Sequence, residues 1–224
     1  MSETPFLRAA GFDALGIAHG FGMRGSAEAA PAGVALARQV HGVTLVRAPF
    51  AGRPDADALW SSEPGTAVAV VTADCVPILI ARRDGGIAAA VHAGWRGSAA
   101  RIAARTVRAL AEATGTPPGD FVAAIGPHIG PCCYEVDEPV LAAIPERSVF
   151  RPARSGHAML DLFALNRLQL VGAGVPARTI ERVGGCTSCD SFRYFSYRRD
   201  KVAGRLLHFV RAGAQSAGSP SRRE

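Results

Sequence analysis

The chain has 224 residues, of which 48% are apolar, and it carries a formal net charge of +6. This length predicts one large domain, and the apolar fraction is enough to bury a core without a disulfide or a structural metal. The basic residues are almost all arginine, with Lys201 as the only lysine, and they are scattered rather than arranged in a stripe with aromatics. This distribution argues against nucleic acid as the main partner.

The cysteine count and the apolar runs indicate a cytoplasmic protein. Residues 1–10 lack the apolar stretch of a secretory signal, and the apolar run 67–81 is interrupted by Asp74 and Pro77 and is too short to span a membrane. Structural disulfides are not expected in this compartment. The odd number of cysteines agrees with this view, and they are Cys75, Cys132, Cys133, Cys186 and Cys189.

The order of apolar patterns predicts an α+β fold with mixed sheets and flanking helices. Residues 34–46 form a strand-like segment that is interrupted by Gln39-Val40-His41-Gly42. Continuous apolar runs predict buried strands at 67–71, 76–80, 87–91 and 121–125. Helical spacing predicts helices at 98–114, 137–144 and 161–171. We expect one catalytic domain over residues 1–211 and a disordered tail over 212–224.

Three polar residues interrupt apolar runs or end them next to tight turns. Cys75 lies between two predicted strands, His92 ends another, and His41 precedes Gly42. Two imidazoles and a thiolate suit zinc, and three protein ligands are typical of a catalytic site with one position left for substrate. The three residues are far apart in sequence, however, so spacing alone favours a buried thiol and hydrogen-bonded histidines.

The other cysteines suggest a competing metal or redox site. Cys186 and Cys189 form a single C-x-x-C motif, and Cys132 and Cys133 are adjacent. A structural zinc normally needs two well-spaced pairs, and adjacent cysteines are poor geometry for one ion. Redox C-x-x-C motifs usually open a helix, whereas an aromatic strand is expected after Cys189. The sequence therefore ranks this pair of motifs below the His41, Cys75 and His92 set.

Arginines near glycines suggest an anion site. Arg24, Arg96 and Arg198 are candidates to bind phosphate or carboxylate through the planar guanidinium. Surface ion pairs explain most other arginines, and neither a Walker loop nor a G-x-G-x-x-G motif in a strand–helix setting is present. Asp74 suits a general base or a residue that holds a metal ligand, and equally well a turn cap.

Six motifs in this order resemble the YfiH family, whose members are called laccase-domain, polyphenol oxidase, purine nucleoside phosphorylase or peptidoglycan editing proteins. The resemblance extends from about His19 to Phe209. The motifs that carry it are Gln39-Val40-His41-Gly42, Thr72-Ala73-Asp74-Cys75-Val76-Pro77, His92-Ala93-Gly94-Trp95-Arg96-Gly97, Ile125-Gly126-Pro127 with Tyr134-Glu135-Val136, Cys186-Thr187, and Phe195-Ser196-Tyr197-Arg198-Arg199.

The resemblance implies zinc bound by His41, Cys75 and His92, phosphorolysis of adenosine, inosine and methylthioadenosine, and deamination of adenosine. It also implies a fold like the catalytic domain of cytotoxic necrotizing factors, which are cysteine hydrolases. Two departures from the family pattern are Arg38, where lysine is frequent, and His128, where a small residue is usual. His128 is thereby a candidate fourth contact in the pocket.

Three other functions compete with this interpretation. A cysteine hydrolase acting on peptidoglycan precursors would use Cys75 as nucleophile and His92 as base. A copper polyphenol oxidase is disfavoured because the chain has six histidines and no H-x-H pair. A binding module without catalysis would keep its ligand when these residues are replaced. A monomer and a homodimer are equally compatible with the sequence.

Overall fold

A computed structural model describes residues 4–201 and 204–213. The strands in this part of the chain are β1 (Phe6–Leu7), β2 (His19–Gly22), β3 (Leu45–Arg47), β4 (Ala58–Ser61), β5 (Ala67–Thr72), β6 (Val76–Arg82), β7 (Ala88–Ala93), β8 (Phe121–Ile125), β9 (Glu135–Val136), β10 (Phe150–Pro152), β11 (Ala158–Leu160), β12 (Ile180–Arg182) and β13 (Leu206–Arg211). The α-helices are α1 (Ala10–Ala14), α2 (Trp95–Ala99), α3 (Ile102–Thr114), α4 (Glu138–Ala143), α5 (Leu162–Gly172) and α6 (Tyr197–Asp200).

The strands form a six-stranded, a four-stranded and a three-stranded sheet. The six-stranded sheet has the order β12-β8-β6-β7-β4-β3, with parallel pairs at its two ends and antiparallel pairs between them. The four-stranded sheet has the antiparallel order β1-β2-β13-β5, and the small sheet has the order β10-β11-β9. This mixture confirms the predicted α+β class.

The six-stranded sheet is covered on both faces, which explains why its central strands are almost entirely apolar. On one face it packs against α3 and α5, and Ile78, Val91, Val107 and Leu165 belong to the apolar cluster on that side. On the other face it packs against the four-stranded sheet, where Leu79 joins a second apolar cluster. The continuous apolar runs therefore predicted β6, β7 and β8 of this sheet, and β5 of the four-stranded sheet, to within two residues at either end.

Two predicted elements differ from the structure. The predicted helix 98–114 is two helices, because α2 begins at Trp95 and Arg101 adopts a left-handed backbone with φ 63° before α3. Of the strand-like segment 34–46, only Leu45 and Val46 belong to a strand, β3. Residues 35–39 instead run along the free edge of β5: Ala35 N–H donates to Ala67 O at 2.8 Å.

Near the end of the described chain the structure also differs from the sequence-based prediction. Residues 197–200 form the short helix α6 rather than an aromatic strand. Ala212 is fully buried, and its N–H donates to Thr66 O, while Gly213 N–H donates to Gly85 O. Hydrogen-bonded backbone thus extends over the first two residues of the predicted tail, and its remainder, 214–224, lies outside the described residues. In the described ranges no helix is long and apolar enough to cross a membrane.

Candidate metal centre and anion cavity

The fold brings His41, Cys75 and His92 together from three separate segments. Cys75 lies in the turn between β5 and β6, His92 is the fifth residue of β7, and His41 lies in the loop before β3. Their ligand atoms all lie within 4.8 Å of one another, and Cys75 Sγ is 3.9 Å from His41 Nε2. Residues that are far apart in sequence therefore converge with the donor types that zinc prefers.

The loop that carries His41 is held by side-chain bonds to the backbone. Gln39 Oε1 accepts from Val71 N–H, and its Nε2 donates to Val71 O, both at 2.7 Å, so this side chain replaces a strand neighbour for β5. His41 itself has a positive φ of 61°, an uncommon conformation for a residue with a Cβ. His41 is thus both a candidate metal ligand and a residue with a strained backbone, which indicates that the surrounding contacts fix this conformation.

Asp57 supplies most of those contacts and was missed in the sequence analysis. Its fully buried carboxylate accepts from the backbone N–H groups of Val40 at 3.2 Å, His41 at 2.9 Å and Gly42 at 2.6 Å. The same carboxylate contacts His92 Nδ1 at 2.8 Å. The only sequence signal is an acid placed directly before an apolar strand, β4, and that signal does not identify a partner.

Asp57 also sets the chemical state of His92. An ionised carboxylate only accepts hydrogen bonds, so Nδ1 of His92 carries the proton and Nε2 is left for Cys75 or a metal. Burial alone would raise the pKa of Asp57, but the bonds from His92 and Gly42 outweigh it and hold this pKa below its usual value. The arrangement is the carboxylate–histidine pair that commonly supports metal-binding imidazoles.

Cys75 and His92 stabilise each other's charged forms. Burial would raise the pKa of Cys75, but hydrogen bonds and charge from His41 and His92 lower this pKa to about 6. Burial would lower the pKa of His92, but Asp57 and Cys75 raise it to about 9. Cys75 is therefore a thiolate at neutral pH, the form that binds metals or attacks an electrophile, and metal binding would release the proton of His92 Nε2.

Gly94 creates the space in which two of these side chains meet. A Cβ at this position would lie 3.0 Å from Cys75 Sγ and 3.1 Å from His41 Cδ2. Any larger residue would press on both ligand candidates. The glycine in the His92-Ala93-Gly94 motif therefore serves the close approach of these two side chains.

The three residues line a cavity of about 730 Å³ with a strongly basic wall. A single carboxylate, that of Asp74, is found among its described lining residues. Six basic side chains line the same cavity, which makes it suited to an anionic ligand, and these are Arg38, Arg53, Arg96, Arg198, Lys201 and Arg205.

Two of the three arginines that were predicted to bind an anion, Arg96 and Arg198, line the cavity, and Arg24 does not. Arg96 lies over the Trp95 ring at 4.4 Å, and Arg198 lies over Tyr134 at 5.1 Å while its Nη1 donates to Glu135 O. Arg24 instead contacts the Phe195 ring and donates to Ser191 O, and it does not line the cavity. Arg24 is therefore removed from the anion-binding set.

Asp74 joins the Cys75 turn to the segment that carries Arg198. Its Oδ1 accepts from Thr187 Oγ1 and its Oδ2 accepts from Arg198 N–H, both at 2.6 Å. Asp74 has a φ of 87°, and its carbonyl accepts from Ile129 N–H. Both carboxylate oxygens are thus used in holding the segments of Thr187 and Arg198, an arrangement that favours a positioning role over that of a general base, and neither oxygen contacts a candidate metal ligand.

His128 does not contribute the fourth contact suggested by the sequence. Its ring is buried, stacks on Phe163 and contacts Gly126 O through Nδ1 at 2.7 Å. It neither lines the cavity nor belongs to the group of His41, Cys75 and His92. Burial lowers its pKa to about 4, so this histidine is neutral inside the core.

Comparison with known proteins assigns the family. Residues 22–212 match the model of the family described as multi-copper polyphenol oxidoreductase laccase. The match covers most of the chain, and the chain therefore belongs to this family, whose relatives include proteins named YfiH and YlmD. The resemblance found in the sequence motifs is confirmed.

Curated relatives are similar over about three quarters of the chain. Purine nucleoside phosphorylase YlmD of Geobacillus stearothermophilus is 38% identical over 190 residues, which cover 77% of this chain and 69% of the relative. Purine nucleoside phosphorylase PA4543 of Pseudomonas aeruginosa is 42% identical over 178 residues, covering 77% and 71%. Purine nucleoside phosphorylase YfiH of Escherichia coli is 37% identical over 182 residues, with the same coverage.

Solved structures agree with the fold. The crystal structure of YlmD from Geobacillus stearothermophilus matches with a TM-score of 0.83 and 31% identity, covering 94% of this chain and 100% of that one. The hypothetical protein YfiH of Bacillus licheniformis matches with a TM-score of 0.86 and 26% identity, covering 94% and 97%. The arrangement of sheets described above is therefore shared with these proteins.

Proposed function

We propose that this protein is a zinc-dependent purine nucleoside phosphorylase that acts on adenosine, inosine and methylthioadenosine, and that it also deaminates adenosine. The observation that carries the proposal is the convergence of His41, Cys75 and His92 on the wall of a cavity with six basic side chains. Relatives at 37–42% identity that are named purine nucleoside phosphorylase support the same reaction class.

The donor set fits zinc. Two imidazole nitrogens and one thiolate match the ligand types of catalytic zinc sites, and Asp57 fixes the tautomer of His92 that such sites require. When bound there, zinc would supply Lewis-acid chemistry to a substrate atom. The H-x-E and P-C-x-x-C signature of other zinc deaminases is absent from the chain, so deamination would use this different ligand set.

Arg96 and Arg198 are proposed to hold phosphate beside the ribose. Both line the cavity, and Arg198 is oriented by its contact with Glu135 O and by the bond from its backbone to Asp74. Guanidinium groups bind phosphate through paired N–H donors and neutralise its charge. Asp74 is proposed as a positioning residue, because its two carboxylate oxygens anchor Thr187 and Arg198.

Tyr134 is proposed to donate a hydrogen bond to the departing purine. Its side chain lines the cavity beside Arg198. Burial raises the pKa of Tyr134 to about 12, and the neighbouring charge of Cys75 contributes in the same direction. The hydroxyl is therefore protonated at neutral pH and available as a hydrogen-bond donor.

Copper chemistry of the multi-copper type is disfavoured by the histidine positions. In the described part of the chain only His41 and His92 converge, while His19, His128 and His208 are buried with other neighbours. A cluster of several copper ions needs many imidazole ligands, and the sequence contains six histidines without an H-x-H pair.

A cysteine hydrolase is the second candidate, because Cys75, His92 and Asp57 have the arrangement of a nucleophile, a base and an orienting acid. His92 contacts Asp57 at 2.8 Å, and the pKa of Cys75 is lowered to about 6 by the two histidines. These are the features of an activated thiol, and peptidoglycan precursors would be its substrate class. This candidate does not need His41 as a metal ligand.

The test measures release of free base from adenosine and inosine with and without phosphate, formation of inosine from adenosine, and zinc content. The variants are His41→Ala and Cys75→Ser, with Arg108→Ala as a control at an exposed residue of α3 that does not line the cavity. For the phosphorylase we expect phosphate-dependent release to fall by more than about 100-fold in both variants, with the loss of one zinc ion per chain, because removing a direct ligand costs more than removing its support.

A different pattern would identify the hydrolase. If release is independent of phosphate and of chelator, and peptidoglycan fragments are cleaved by His41→Ala but not by Cys75→Ser, the thiol is the nucleophile. Retained nucleoside phosphorolysis in both variants would remove the metal centre from the mechanism.

A further inference from the structure

Four cysteines outside the cavity wall converge on a second point of the surface. Cys132 and Cys133 follow β8 in a turn, and Cys186 and Cys189 follow β12. Their sulfur atoms all lie within 4.8 Å of one another. Cys189 Sγ lies 3.5 Å from Cys132 Sγ and 3.4 Å from Cys133 Sγ.

These distances match metal coordination. With zinc–sulfur bonds of about 2.3 Å, tetrahedral geometry places neighbouring ligand sulfurs about 3.8 Å apart. The contacts at 3.4 and 3.5 Å are close to that value and far from the length of a disulfide, about 2.05 Å. All four residues are free thiols in the structure.

The turn at Gly130 removes the objection that adjacent cysteines cannot serve one ion. Both Cys133 N–H and Tyr134 N–H donate to Gly130 O at 3.0 Å, which folds the segment back so that both sulfurs face Cys189. Gly130 N–H contacts Cys186 Sγ at 3.2 Å, the kind of bond that stabilises a thiolate ligand. A Cβ at Gly130 would lie 3.3 Å from both Cys132 Sγ and Cys186 Cβ.

We propose that Cys132, Cys133, Cys186 and Cys189 bind a structural zinc ion through four thiolates. On binding, each thiol that is still protonated releases its proton to water, and four thiolates with one Zn²⁺ carry a net charge of −2. Four protein ligands complete the tetrahedral shell, so this site has no open position for a substrate and differs in role from the His41 centre.

The zinc would fasten together two loops that shape the cavity. The loop with Cys132 and Cys133 leads directly into Tyr134, which lines the cavity. The loop with Cys186 contains Thr187, which donates to Asp74. These loops already meet through the bridge between His128 and Cys186 and the contact of Gly130 N–H with Cys186 Sγ, and four metal bonds would add a strong connection to them.

The experiment counts zinc and iron per chain by elemental analysis in protein purified under reducing conditions without chelator. We expect two zinc ions in the wild type, one in Cys189→Ser, one in His41→Ala and none in the double variant. Because His41→Ala lacks only the other centre, the cysteine site is tested whatever the outcome for nucleoside phosphorolysis. A matched control is Ser188→Ala, which lies between the two cysteines of the C-x-x-C motif.

Alkylation supplies a readout if Cys189→Ser fails to fold. In His41→Ala with zinc bound, iodoacetamide should label the four cysteines at least about 10-fold more slowly than after removal of zinc, because a coordinated thiolate is a weaker nucleophile. Absence of zinc from His41→Ala, iron in place of zinc, or an anaerobically purified mass that shows a disulfide would overturn the proposal.

Discussion

At the scale of single residues, one carboxylate organises the candidate metal centre. Asp57 binds the backbone on both sides of His41 and the ring of His92, so the positions of two ligand candidates depend on one side chain. In the sequence, His41, Cys75 and His92 were candidates because they stand next to turns at the ends of apolar runs, and the family resemblance implied them as one ligand set. The sequence did not identify Asp57, whose partners lie 16 residues before it and 35 residues after it.

Replacement of Asp57 by asparagine tests this role. The amide would present N–H donors to groups that need acceptors, so His92 would lose its fixed tautomer and the His41 loop its anchor. We expect the affinity for zinc to fall by about 10- to 100-fold, the usual effect of losing such a supporting group. Chelator competition measures the dissociation constant.

The matched control is Asp55→Asn, two residues away. Asp55 forms an exposed ion pair with Arg38, and such pairs contribute little to stability or to a distant site. An unchanged zinc affinity in Asp57→Asn, or an equal loss in both variants, would show that Asp57 does not support the centre.

At the scale of elements, the central strands could be predicted from their apolar sequence because they are buried. The backbone break between α2 and α3 could not be predicted from the spacing of apolar residues. The strands β6 and β7 are covered on both faces and are therefore continuously apolar. The apolar stripe of the predicted helix 98–114 gives no sign of the left-handed break at Arg101, since the residue there is neither glycine nor asparagine. Helix spacing thus located the element but missed its division into α2 and α3.

The end of β8 offers a test of how closely the two sheets pack. A Cβ at Gly126 would lie 2.1 Å from Phe21 Cδ1 and 2.9 Å from Pro77 Cγ. Phe21 is fully buried and cannot swing into solvent. We expect Gly126→Ala to lower the free energy of unfolding by about 1–3 kcal/mol through overpacking, as measured by urea denaturation.

Gly119→Ala is the control for this substitution. No atom lies within 4 Å of the Cβ position at Gly119, so the unfolding free energy should stay the same or rise slightly as the unfolded chain loses freedom. Equal destabilisation by the two variants would mean that the contact with Phe21 is not the cause.

At the scale of the whole molecule, the sheets are built from strand pairings between distant segments, and no local sequence pattern specifies those pairings. The strand β13 lies between β2 and β5, and the side chain of His208 in β13 contacts that of Thr72 in β5, 136 positions earlier in the chain. The sequence predicted an α+β class because its helices and strands do not alternate regularly. It could not predict which strands become neighbours, since that choice depends on long-range packing.

His208 makes the stability of the whole fold depend on pH. It is fully buried, accepts from Gly22 N–H through Nδ1 and contacts Thr72 Oγ1 through Nε2, so neither nitrogen is free for a further proton. Burial, with a further contribution from the charge of His92, lowers its pKa to about 3 from an ordinary 6.5.

The sign of the effect follows from proton binding. Between these two pKa values the unfolded chain binds a proton that the folded chain does not, so the unfolding free energy falls as the pH drops below about 6.5. Each pH unit should remove about 1.4 kcal/mol for this residue. We expect His208→Gln to reduce the slope by that amount between about pH 6.5 and pH 4.5, measured by urea denaturation of chelator-treated protein.

The pairing of β13 also determines when the protein can fold during its synthesis. β5 leads into the Cys75 turn, and its only strand partner in the described structure is β13, which follows every other described element in the chain. A nascent chain that already contains His41, Cys75 and His92 therefore still lacks the strand that pairs with β5, from which the Cys75 turn continues. A metal held by these three residues would therefore be bound only after β13 has been synthesised, and until then the edge of β5 that pairs with β13 stays open.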